Sequence, residues 1–239
     1  SKYISSNLVG FSNILECCRN FNIRHLLYAS SSSVYGGNKK QPFSENDNVD
    51  HPISLYAATK RSNELLAHTY SHLYNIPSTS LRFFTVYGPW GRPDMAPMIF
   101  TNAILKNKKI NIFNNGLMVR DFTFISDVVN AIYLLIDKIP SSNSNTNTYD
   151  THPSKSWAPF RILNIGNSTP INLMDFISNI EKELGIEAQK EFMAMQKGDV
   201  QSTLSDTFEL QKLIGFKPQT TLKKGIKKFI NWYKEFYII

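Results

Sequence analysis

The chain has 239 residues, of which 42% are hydrophobic and 19% are charged. This balance is typical of a folded globular protein and excludes a disordered chain. No stretch approaches the roughly 18 to 20 consecutive apolar residues of a membrane-spanning helix, so we expect no membrane span. The net charge of +7 alone would suit a nucleic-acid binder. The basic residues are scattered, however, and an anionic small molecule accounts for the excess as well, so we predict no nucleic-acid partner.

The spacing of apolar residues predicts strands and helices that alternate along the chain. In chain order, we predict helices over 7–20, 55–74, 97–107, 126–138, 172–185, 206–214 and 222–237, and strands over 25–30, 79–84, 110–113, 118–125 and 161–165. We place Ser126 at the N-cap of its helix, and we predict a surface loop over the Ser-, Asn- and Thr-rich residues 140–158. Alternating strands and helices indicate a parallel α/β sheet. Only the strands at 25–30, 79–84 and 161–165 have the apolar character of buried parallel strands, which predicts a partial sheet.

The candidate metal ligands are few. Cys17 and Cys18 are adjacent, match no zinc spacing and cannot form an ordinary disulfide with each other. His68 and His72 stand four residues apart, as metal ligands on a helix do, but no third ligand lies nearby in the sequence. We therefore predict no metal site. Free cysteines fit a reducing compartment, and we expect a cytoplasmic protein.

Tyr56 and Lys60 stand four residues apart in the predicted helix 55–74, so their side chains lie on one face. A phenol titrates near 10, so it acts as a base near pH 7 only where its surroundings favour the phenolate. The shift required is about 3 units, or roughly 4 kcal/mol, and a neighbouring ammonium favours it. Taken alone, the pattern also fits a plain pair on a helix surface.

Four consecutive serines, residues 30–33, end the predicted strand 25–30. Ligands of open α/β sheets bind at the carboxyl ends of the strands. A hydroxyl at that edge, in particular that of Ser31, is suited to hydrogen-bond a reacting oxygen and to help to pass its proton. A polar loop after a strand remains the alternative interpretation of the serines alone.

Four stretches of the sequence together resemble one family. They are Tyr-Ala-Ser-Ser-Ser-Ser-Val-Tyr-Gly at 28–36, Pro-Ile-Ser-Leu-Tyr-Ala-Ala-Thr-Lys at 52–60, Tyr-Gly-Pro-Trp-Gly-Arg-Pro-Asp-Met at 87–95 and Arg-Asp-Phe-Thr-Phe-Ile at 120–125. The chain resembles the NAD-dependent epimerase/dehydratases, or extended short-chain dehydrogenase/reductases, and most closely the bacterial UDP-glucuronate 4-epimerases of the capsule-synthesis type. The resemblance covers nearly all of the chain. It implies a Rossmann-like, doubly wound parallel sheet and a smaller α/β substrate-binding domain, with the NAD-binding part at 1–90 and 126–170 and the UDP-sugar part at 91–125 and 171–239.

The resemblance implies a role for each matching position. Tyr56 would take the proton of the sugar 4-hydroxyl, Lys60 would lower the pKa of that phenol and bind the nicotinamide ribose, and Ser31 would assist the proton transfer. Hydride would pass from C4 of the sugar to NAD and return to the other face of a 4-keto sugar. The other implied contacts are the backbone of Phe84 with the nicotinamide, Ser32, Ser33 and Thr85 with the sugar, Arg120 with the UDP phosphates, and a weaker one of Asp199 with UDP. Arg92 follows the Tyr-Gly-Pro loop at 87–89 and is our candidate for binding the uronate carboxylate, because a guanidinium can hold a carboxylate through two hydrogen bonds. A solvated loop arginine is the alternative interpretation.

The resemblance implies interconversion of UDP-glucuronate and UDP-galacturonate for capsule or lipopolysaccharide synthesis. Sugar 4,6-dehydratases of this superfamily have Thr-Asp-Glu where this chain has Ser31, Ser32 and Ser33, and related decarboxylases keep a Glu at the last position. The serines therefore favour an epimerase, with another UDP-sugar epimerase or dehydratase as the alternative.

One departure from the family is large. Its members begin with a strand, a Gly-x-x-Gly-x-x-Gly turn and a helix that bind NAD, and this sequence contains no such motif. We therefore expect the chain to be a C-terminal portion of an epimerase that lacks the first strands of the sheet. We also expect that calorimetric titration detects no binding of NAD by this chain alone. The alternatives to an active enzyme are a non-catalytic remnant and a subunit completed by an N-terminal polypeptide. The resemblance also implies a homodimer formed by the helices that contain residues 7–20 and 55–74.

Overall fold

The structure is a computed structural model that describes residues 2–142, 152–196 and 198–238. Its helices are α1 (Gly10–Asn20, preceded by the π-helical Ile4–Val9), α2 (Leu55–Tyr74), α3 (Ala96–Leu105), α4 (Ile125–Leu135), α5 (Leu173–Leu184), α6 (Phe208–Ile214) and α7 (Leu222–Tyr237). Its strands are β1 (Leu26–Ser31), β2 (Ser78–Phe83), β3 (Thr85–Tyr87), β4 (Ile110–Ile112), β5 (Val119–Phe124), β6 (Phe160–Ile165), β7 (Pro170–Asn172) and β8 (Lys190–Phe192). Across the described residues, no helix is both long enough and apolar enough to span a membrane.

The chain divides into two compact units. The first unit is Ser1–Phe84, Ala131–Ile165 and Ser205–Phe216, and the second is Thr85–Asn130, Gly166–Leu204 and Lys217–Ile239. These boundaries differ from those of the predicted NAD-binding and UDP-sugar parts. Residues 85–90 join the second unit because β3 pairs in parallel with β5. Residues 205–216 join the first unit because Ser205 forms a bridge with Phe43 and α6 packs on β6.

A three-stranded parallel sheet forms the centre of the first unit, in the order β1-β2-β6. This confirms the three parallel strands that the sequence predicts. Helix α2 packs against all three strands and α1 packs against α2. Leu15, Ala67 and Ile162 are among the buried residues of this core. Their burial fixes α2 on the sheet, because apolar area removed from water stabilises by about 25 cal/mol per Å².

Helix α2 has well-defined ends. The Ser54 side chain caps its N-terminus by accepting a hydrogen bond from the Ala57 N–H at 3.1 Å. Asn75 ends it in the left-handed conformation, with φ of 54°. A side-chain cap of this kind stabilises a helix by about 1 kcal/mol. The cap fixes the start of the helix, so Tyr56 lies in the first turn and Lys60 in the second.

The second unit contains the sheet β3-β5-β7 and the two-stranded sheet β4-β8. Helices α3, α5 and α7 pack around an apolar core that includes Phe122 and Phe176, whose stacked rings are 4.1 Å apart at their centroids. The sequence pattern does not predict β3, β7 or β8. Each of these strands has three residues, and so short a segment shows no periodicity.

The predicted N-cap of α4 is wrong. The helix begins at Ile125, so Ser126 lies within its first turn, and it ends at Leu135. The Asp127 carboxylate accepts hydrogen bonds from the backbone N–H groups of Gln219 and Thr220 at 3.2 and 2.9 Å. Asp127 therefore anchors the segment that leads into α7. In the predicted loop 140–158, residues 143–151 lie outside the described residues.

Candidate active site

Ser31 is the last residue of β1, at the carboxyl end of the sheet. Its side chain caps a short 3-10 helix, Ser32–Tyr35, by accepting a hydrogen bond from the Ser33 N–H at 3.2 Å. The Ser31 hydroxyl also donates to Ser33 Oγ at 3.1 Å. The hydroxyls of Ser31 and Ser33 therefore form a hydrogen-bonded pair at the edge where parallel α/β sheets bind ligands.

Gly36 returns the chain from this short helix toward α2. Its φ of 51° lies in the left-handed region, and a side chain at this position would overlap the carbonyl oxygen of His51. The next residue, Gly37, donates its N–H to that same oxygen at 3.2 Å. The close approach of the two chain segments brings the start of α2 against the 3-10 helix, and it explains why glycine follows Val34-Tyr35.

Lys60 lies between Tyr56 and β1. Its Nζ is 5.9 Å from the centroid of the Tyr56 ring and donates a hydrogen bond to the carbonyl oxygen of Ala29 at 3.0 Å. Partial burial lowers the pKa of the Lys60 ammonium. The Tyr56 ring is partly buried, with its centroid 5.8 Å from that of Tyr3. The structure thus places the predicted phenol and cation side by side, and Lys60 contacts Ala29, which lies two residues before Ser31 in β1.

Phe84 lies at the same edge of the sheet, directly after β2. Its N–H donates to the carbonyl oxygen of Ile165 at 3.1 Å, and its preceding residue, Phe83, is in register with Ser31. The side chain is buried beside Tyr35, with the ring centroids 6.2 Å apart. The predicted residues of the first unit therefore lie at the carboxyl edge of the sheet. They are Ser31 to Ser33, Tyr56, Lys60 and Phe84.

The remaining predicted residues belong to the second unit. Thr85 is the first residue of β3 and is in register with Phe122 of β5. Arg92 lies in the loop after β3, where its guanidinium forms an ion pair with Asp94 at 3.2 Å. Both side chains of this pair are 72% exposed. Arg92 is thus an accessible cation that already has a carboxylate partner.

Arg120 and Asp199, which we predict separately, contact each other. Arg120 Nη2 lies 2.8 Å from Asp199 Oδ1, and Nη1 donates to the carbonyl oxygens of Val119 and Gln201 at 3.0 and 3.1 Å. Burial lowers the pKa of Arg120, and the ion pair with Asp199 partly offsets this effect. The guanidinium side chain is only 14% exposed, so it forms a fixed positive charge in the second unit.

With this geometry established, comparison with known proteins identifies the lineage. The sequence profile of the NAD dependent epimerase/dehydratase family matches residues 1–149. The chain belongs to this family. It is 57% identical to the protein CapI of Staphylococcus aureus over 235 residues, which cover 98% of the chain and 70% of CapI. It is 45% identical to UDP-glucuronate 4-epimerase 4 of Arabidopsis thaliana over 242 residues, which cover 99% of the chain and 54% of that protein.

Solved structures agree with this assignment. The UDP-glucuronic acid 4-epimerase of Bacillus cereus, solved with UDP-glucuronic acid and NAD, matches with a TM-score of 0.85 and 30% identity. The match covers 98% of this chain and 69% of the Bacillus cereus chain. The predicted family and the predicted Rossmann-like α/β fold are both confirmed. The roles of the individual site residues remain predictions.

A buried polar network connects the 3-10 helix after Ser31 to β6 in this epimerase/dehydratase chain, and it was not predicted from the sequence. The Tyr35 hydroxyl donates to Asn164 Oδ1 at 2.7 Å, and the Asn164 side-chain amide donates to the carbonyl oxygens of Phe43 and Asp206, both at 2.9 Å. The Asn164 N–H donates to the Glu45 carboxylate at 2.8 Å. The Val-Tyr-Gly stretch signals Tyr35, whereas nothing local in the sequence connects it to residue 164.

Glu45 in this network makes the stability of the first unit depend on pH. Burial raises its pKa to about 7, compared with about 4.3 in an unfolded chain. The folded state therefore binds this proton more tightly, so the contribution of Glu45 to stability is fully present below about pH 4 and is lost as the pH rises through about 7. Between about pH 5 and pH 8 this loss amounts to up to about 3 kcal/mol of the free energy of unfolding. We expect Glu45→Gln to remove it, as measured by urea unfolding at both pH values. Equal pH dependence in the variant and the wild type would contradict it.

The two histidines that suggested a metal pair have other contacts. His68 Nε2 lies 2.9 Å from Ser156 Oγ, and His72 Nδ1 accepts a hydrogen bond from Trp157 Nε1 at 2.9 Å. The residues that the structure describes contain no group of three His, Cys, Asp or Glu side chains suited to a metal ion. Both histidines thus hold the segment that precedes β6.

Proposed function

We propose that this chain carries the proton-transfer and substrate-binding residues of a UDP-glucuronate 4-epimerase, which interconverts UDP-glucuronate and UDP-galacturonate. The observation that carries the proposal is the placement of Tyr56 beside Lys60 at the edge where β1 ends in Ser31. The names of the matched relatives from Arabidopsis thaliana and Bacillus cereus support the choice of substrate. The serines at 31–33, where sugar 4,6-dehydratases of the superfamily have Thr-Asp-Glu, support an epimerase over a dehydratase.

The residues of the first unit fit the nicotinamide end of NAD. One of the three N–H donors of Lys60 is bound by Ala29, which leaves donors for the hydroxyls of a ribose. Within the described residues, no hydrogen bond engages the Tyr56 hydroxyl. We propose that Tyr56, Lys60 and the backbone of Phe84 contact the cofactor, so that the first unit is the NAD-binding domain. When bound, NAD supplies a reversible acceptor for the hydride from C4.

Tyr56 acts as the base in this proposal. As a phenolate it takes the proton of the sugar 4-hydroxyl while C4 loses its hydride, and the sugar becomes a 4-ketone. The Lys60 ammonium stabilises the phenolate, and the Ser31 hydroxyl hydrogen-bonds the reacting oxygen. After the ketone has turned its other face to the site, the hydride returns and Tyr56 gives back its proton. The sugar is inverted at C4 and Tyr56 regains its initial state.

The second unit supplies the contacts to the rest of the substrate. We propose that Arg120 binds the UDP diphosphate, because a nearly buried guanidinium held by two carbonyl groups is an ordered donor for phosphate oxygens. Asp199 now contacts the same guanidinium, and the phosphates replace Asp199 as the partner of Arg120 when UDP binds. Thr85 contacts the sugar and Arg92 contacts its carboxylate, whereas the sugar contacts of Ser32 and Ser33 come from the first unit.

Arg120→Ala is expected to weaken the binding of UDP-glucuronate about 30-fold or more, because a charge-assisted contact to phosphate contributes about 2 kcal/mol or more. Isothermal titration of the variant and the wild type measures the loss. Lys190 provides a matched control, because it also forms an ion pair in the second unit, with Glu181. Lys190→Ala is expected to leave the affinity unchanged, and equal affinities for Arg120→Ala and the wild type would exclude Arg120 from the phosphate site.

The finer features of the function belong to the same proposal. We propose a cytoplasmic enzyme of capsule or lipopolysaccharide synthesis. We also propose a homodimer formed by α1 and α2, on which Ile14, Leu65 and Leu73 are 50%, 54% and 59% exposed. Large apolar side chains exposed on two neighbouring helices favour association through that face. Completion by a further polypeptide is the alternative that size measurements would reveal.

A chimera tests the function directly. In it, this chain replaces the region of CapI that it matches, so that the rest of CapI supplies the segments outside the match. We expect the chimera, incubated with UDP-glucuronate and NAD, to produce UDP-galacturonate, detected by proton NMR of the anomeric signals. Turnover of UDP-glucose alone would identify another UDP-sugar epimerase. A folded chimera without turnover of either sugar would support the non-catalytic alternative.

A further inference from the structure

A fully buried ion pair lies behind the proposed catalytic residues. Arg82 of β2 and Glu64 of α2 have no exposed side-chain surface, and they form two parallel hydrogen bonds. These run from Arg82 Nε to Glu64 Oε1 at 2.8 Å and from Arg82 Nη2 to Oε2 at 2.9 Å. The Ser30 hydroxyl donates to Oε1 at 2.7 Å, and Arg61 Nη1 donates to Oε2 at 3.1 Å. The carboxylate thus accepts four hydrogen bonds.

The pair connects the three elements that carry the proposed site. Glu64 lies four residues after Lys60 and eight after Tyr56, so all three occupy one face of α2. Ser30 is adjacent to Ser31 on β1 and is in register with Arg82 on β2. Arg82 lies two residues before Phe84. One carboxylate therefore fixes the rotation and height of α2 relative to the ends of both strands.

Stability alone does not explain this pair. Burial acts to raise the pKa of Glu64. The charge and hydrogen bonds of Arg82, together with the hydrogen bond from Ser30 and the charge of Arg61, outweigh this effect, so the pKa of Glu64 is lowered. Charges removed from water lose hydration, and well-packed apolar residues of similar size often stabilise a fold as well as a buried ion pair does. What apolar residues do not reproduce is the directional constraint of two parallel hydrogen bonds.

We propose that Glu64 and Arg82 are positioning residues of the epimerase. They hold Tyr56 and Lys60 on α2 at the required distance from Ser31 on β1 and touch neither substrate nor cofactor. The inference rests on the proposed function, because it concerns the geometry of the same proton transfer. A displacement of about 1 Å at a reacting group lowers a rate about 100-fold. The pair therefore acts on turnover more than on substrate affinity.

The test compares four variants of the chimera. Glu64→Leu/Arg82→Met replaces the pair by apolar side chains, and Arg82→Lys keeps the charge without the two parallel hydrogen bonds. Leu15→Ala provides the stability control, because Leu15 is equally buried in the first unit and belongs to a separate apolar cluster. Tyr56→Phe tests the proposed function itself. The measurements are thermal unfolding, kcat, KM for UDP-glucuronate and the pH dependence of kcat.

We expect the double variant to unfold cooperatively, to lose at least about tenfold in kcat and to keep KM within about threefold. The pH dependence of kcat should shift, because the surroundings of the base change, and Arg82→Lys should show the same pattern to a smaller degree. Leu15→Ala should lower the unfolding temperature without changing the pH profile. Wild-type kcat and pH profile in the folded double variant, or in Arg82→Lys if the double variant does not fold, would overturn the inference.

Failure of the two proposals gives different results. An active Tyr56→Phe variant overturns the proposed function, whereas an inactive Tyr56→Phe variant with a fully active double variant overturns only the positioning role. A crystal structure of the double variant of this chain, or of Arg82→Lys, provides a readout that does not need turnover. We expect α2 to shift by about 1 Å relative to β1, measured between the Cα atoms of Tyr56 and Ser31. An unmoved helix would count against positioning even in an inactive enzyme.

Discussion

Replacing Tyr56 by Phe is expected to abolish epimerisation by the chimera while the affinity for UDP-glucuronate stays nearly unchanged. The substitution removes one hydroxyl and keeps the ring, so the packing beside Lys60 and Tyr3 is preserved. In the proposed mechanism that hydroxyl is the only acceptor for the proton of the sugar 4-hydroxyl. If this acceptor is missing, loss of the hydride from C4 leaves a protonated ketone, which is unstable.

The expected loss in kcat is about 10³- to 10⁴-fold, at the upper end of what general acid–base groups contribute. KM should change by less than about threefold, because the lost contact acts mainly in the transition state. The measurement is steady-state conversion of UDP-glucuronate by the chimera, with binding checked by calorimetry. Tyr3 offers a matched control, since its ring packs against that of Tyr56 and is 49% exposed. Tyr3→Phe should retain wild-type turnover.

Retention of more than about 10% of the wild-type kcat by Tyr56→Phe would exclude Tyr56 as the base, because acid–base groups contribute at least about 100-fold. Loss of UDP-glucuronate binding together with turnover would instead indicate that the hydroxyl mainly holds the substrate. The two outcomes separate a role in proton transfer from a role in binding.

The elements of the first unit could be predicted from the sequence because each has a strong local signal. Strand β1 is an apolar run that ends in serines, and α2 has apolar residues at helical spacing. Such signals depend on residues close in sequence, and the structure places these elements where the pattern predicts. The family resemblance then supplies the roles that no local pattern contains.

The features that escaped prediction are formed by residues far apart in the chain. Glu64 and Arg82 are separated by 18 residues, and a charged residue within a helix normally indicates a solvent-exposed face. Arg120 and Asp199 are separated by 79 residues. Whether two such charges meet depends on the arrangement of strands and loops, which periodicity does not determine. Sequence analysis therefore finds the reacting groups more readily than the ion pairs that orient them.

Arg92 is expected to decide which sugar the enzyme prefers. UDP-glucuronate and UDP-glucose differ at C6, which is a carboxylate in the first and a hydroxymethyl group in the second. A guanidinium binds a carboxylate through two parallel hydrogen bonds and has no equivalent interaction with a hydroxymethyl group. Arg92 now forms an ion pair with Asp94, in which Nη2 donates a hydrogen bond to Oδ2 at 3.2 Å and Nε lies 3.2 Å from Oδ1. The uronate carboxylate would replace that of Asp94.

The exchange of partners favours the substrate on energetic grounds. The pair of Arg92 and Asp94 is mostly exposed to water, and exposed ion pairs contribute only about 0 to 1 kcal/mol. Little stability is lost when the two separate. In the proposal the bound sugar covers the contact between Arg92 and the uronate carboxylate, and removal of one partner of a buried charge pair costs about 2 to 5 kcal/mol.

In the chimera, Arg92→Ala should therefore lower the ratio of kcat/KM for UDP-glucuronate to that for UDP-glucose by about 30-fold to 10³-fold, mostly through loss of the uronate reaction. Arg24 is a suitable control, because it is also an exposed arginine paired with a carboxylate, that of Asp137. Arg24→Ala should leave the ratio unchanged. Asp94→Asn frees Arg92 from its present partner and should leave the ratio at or above that of the wild type. An unchanged ratio in Arg92→Ala would move the carboxylate contact to another residue, and Arg92 would then be a solvated loop cation whose partner is Asp94.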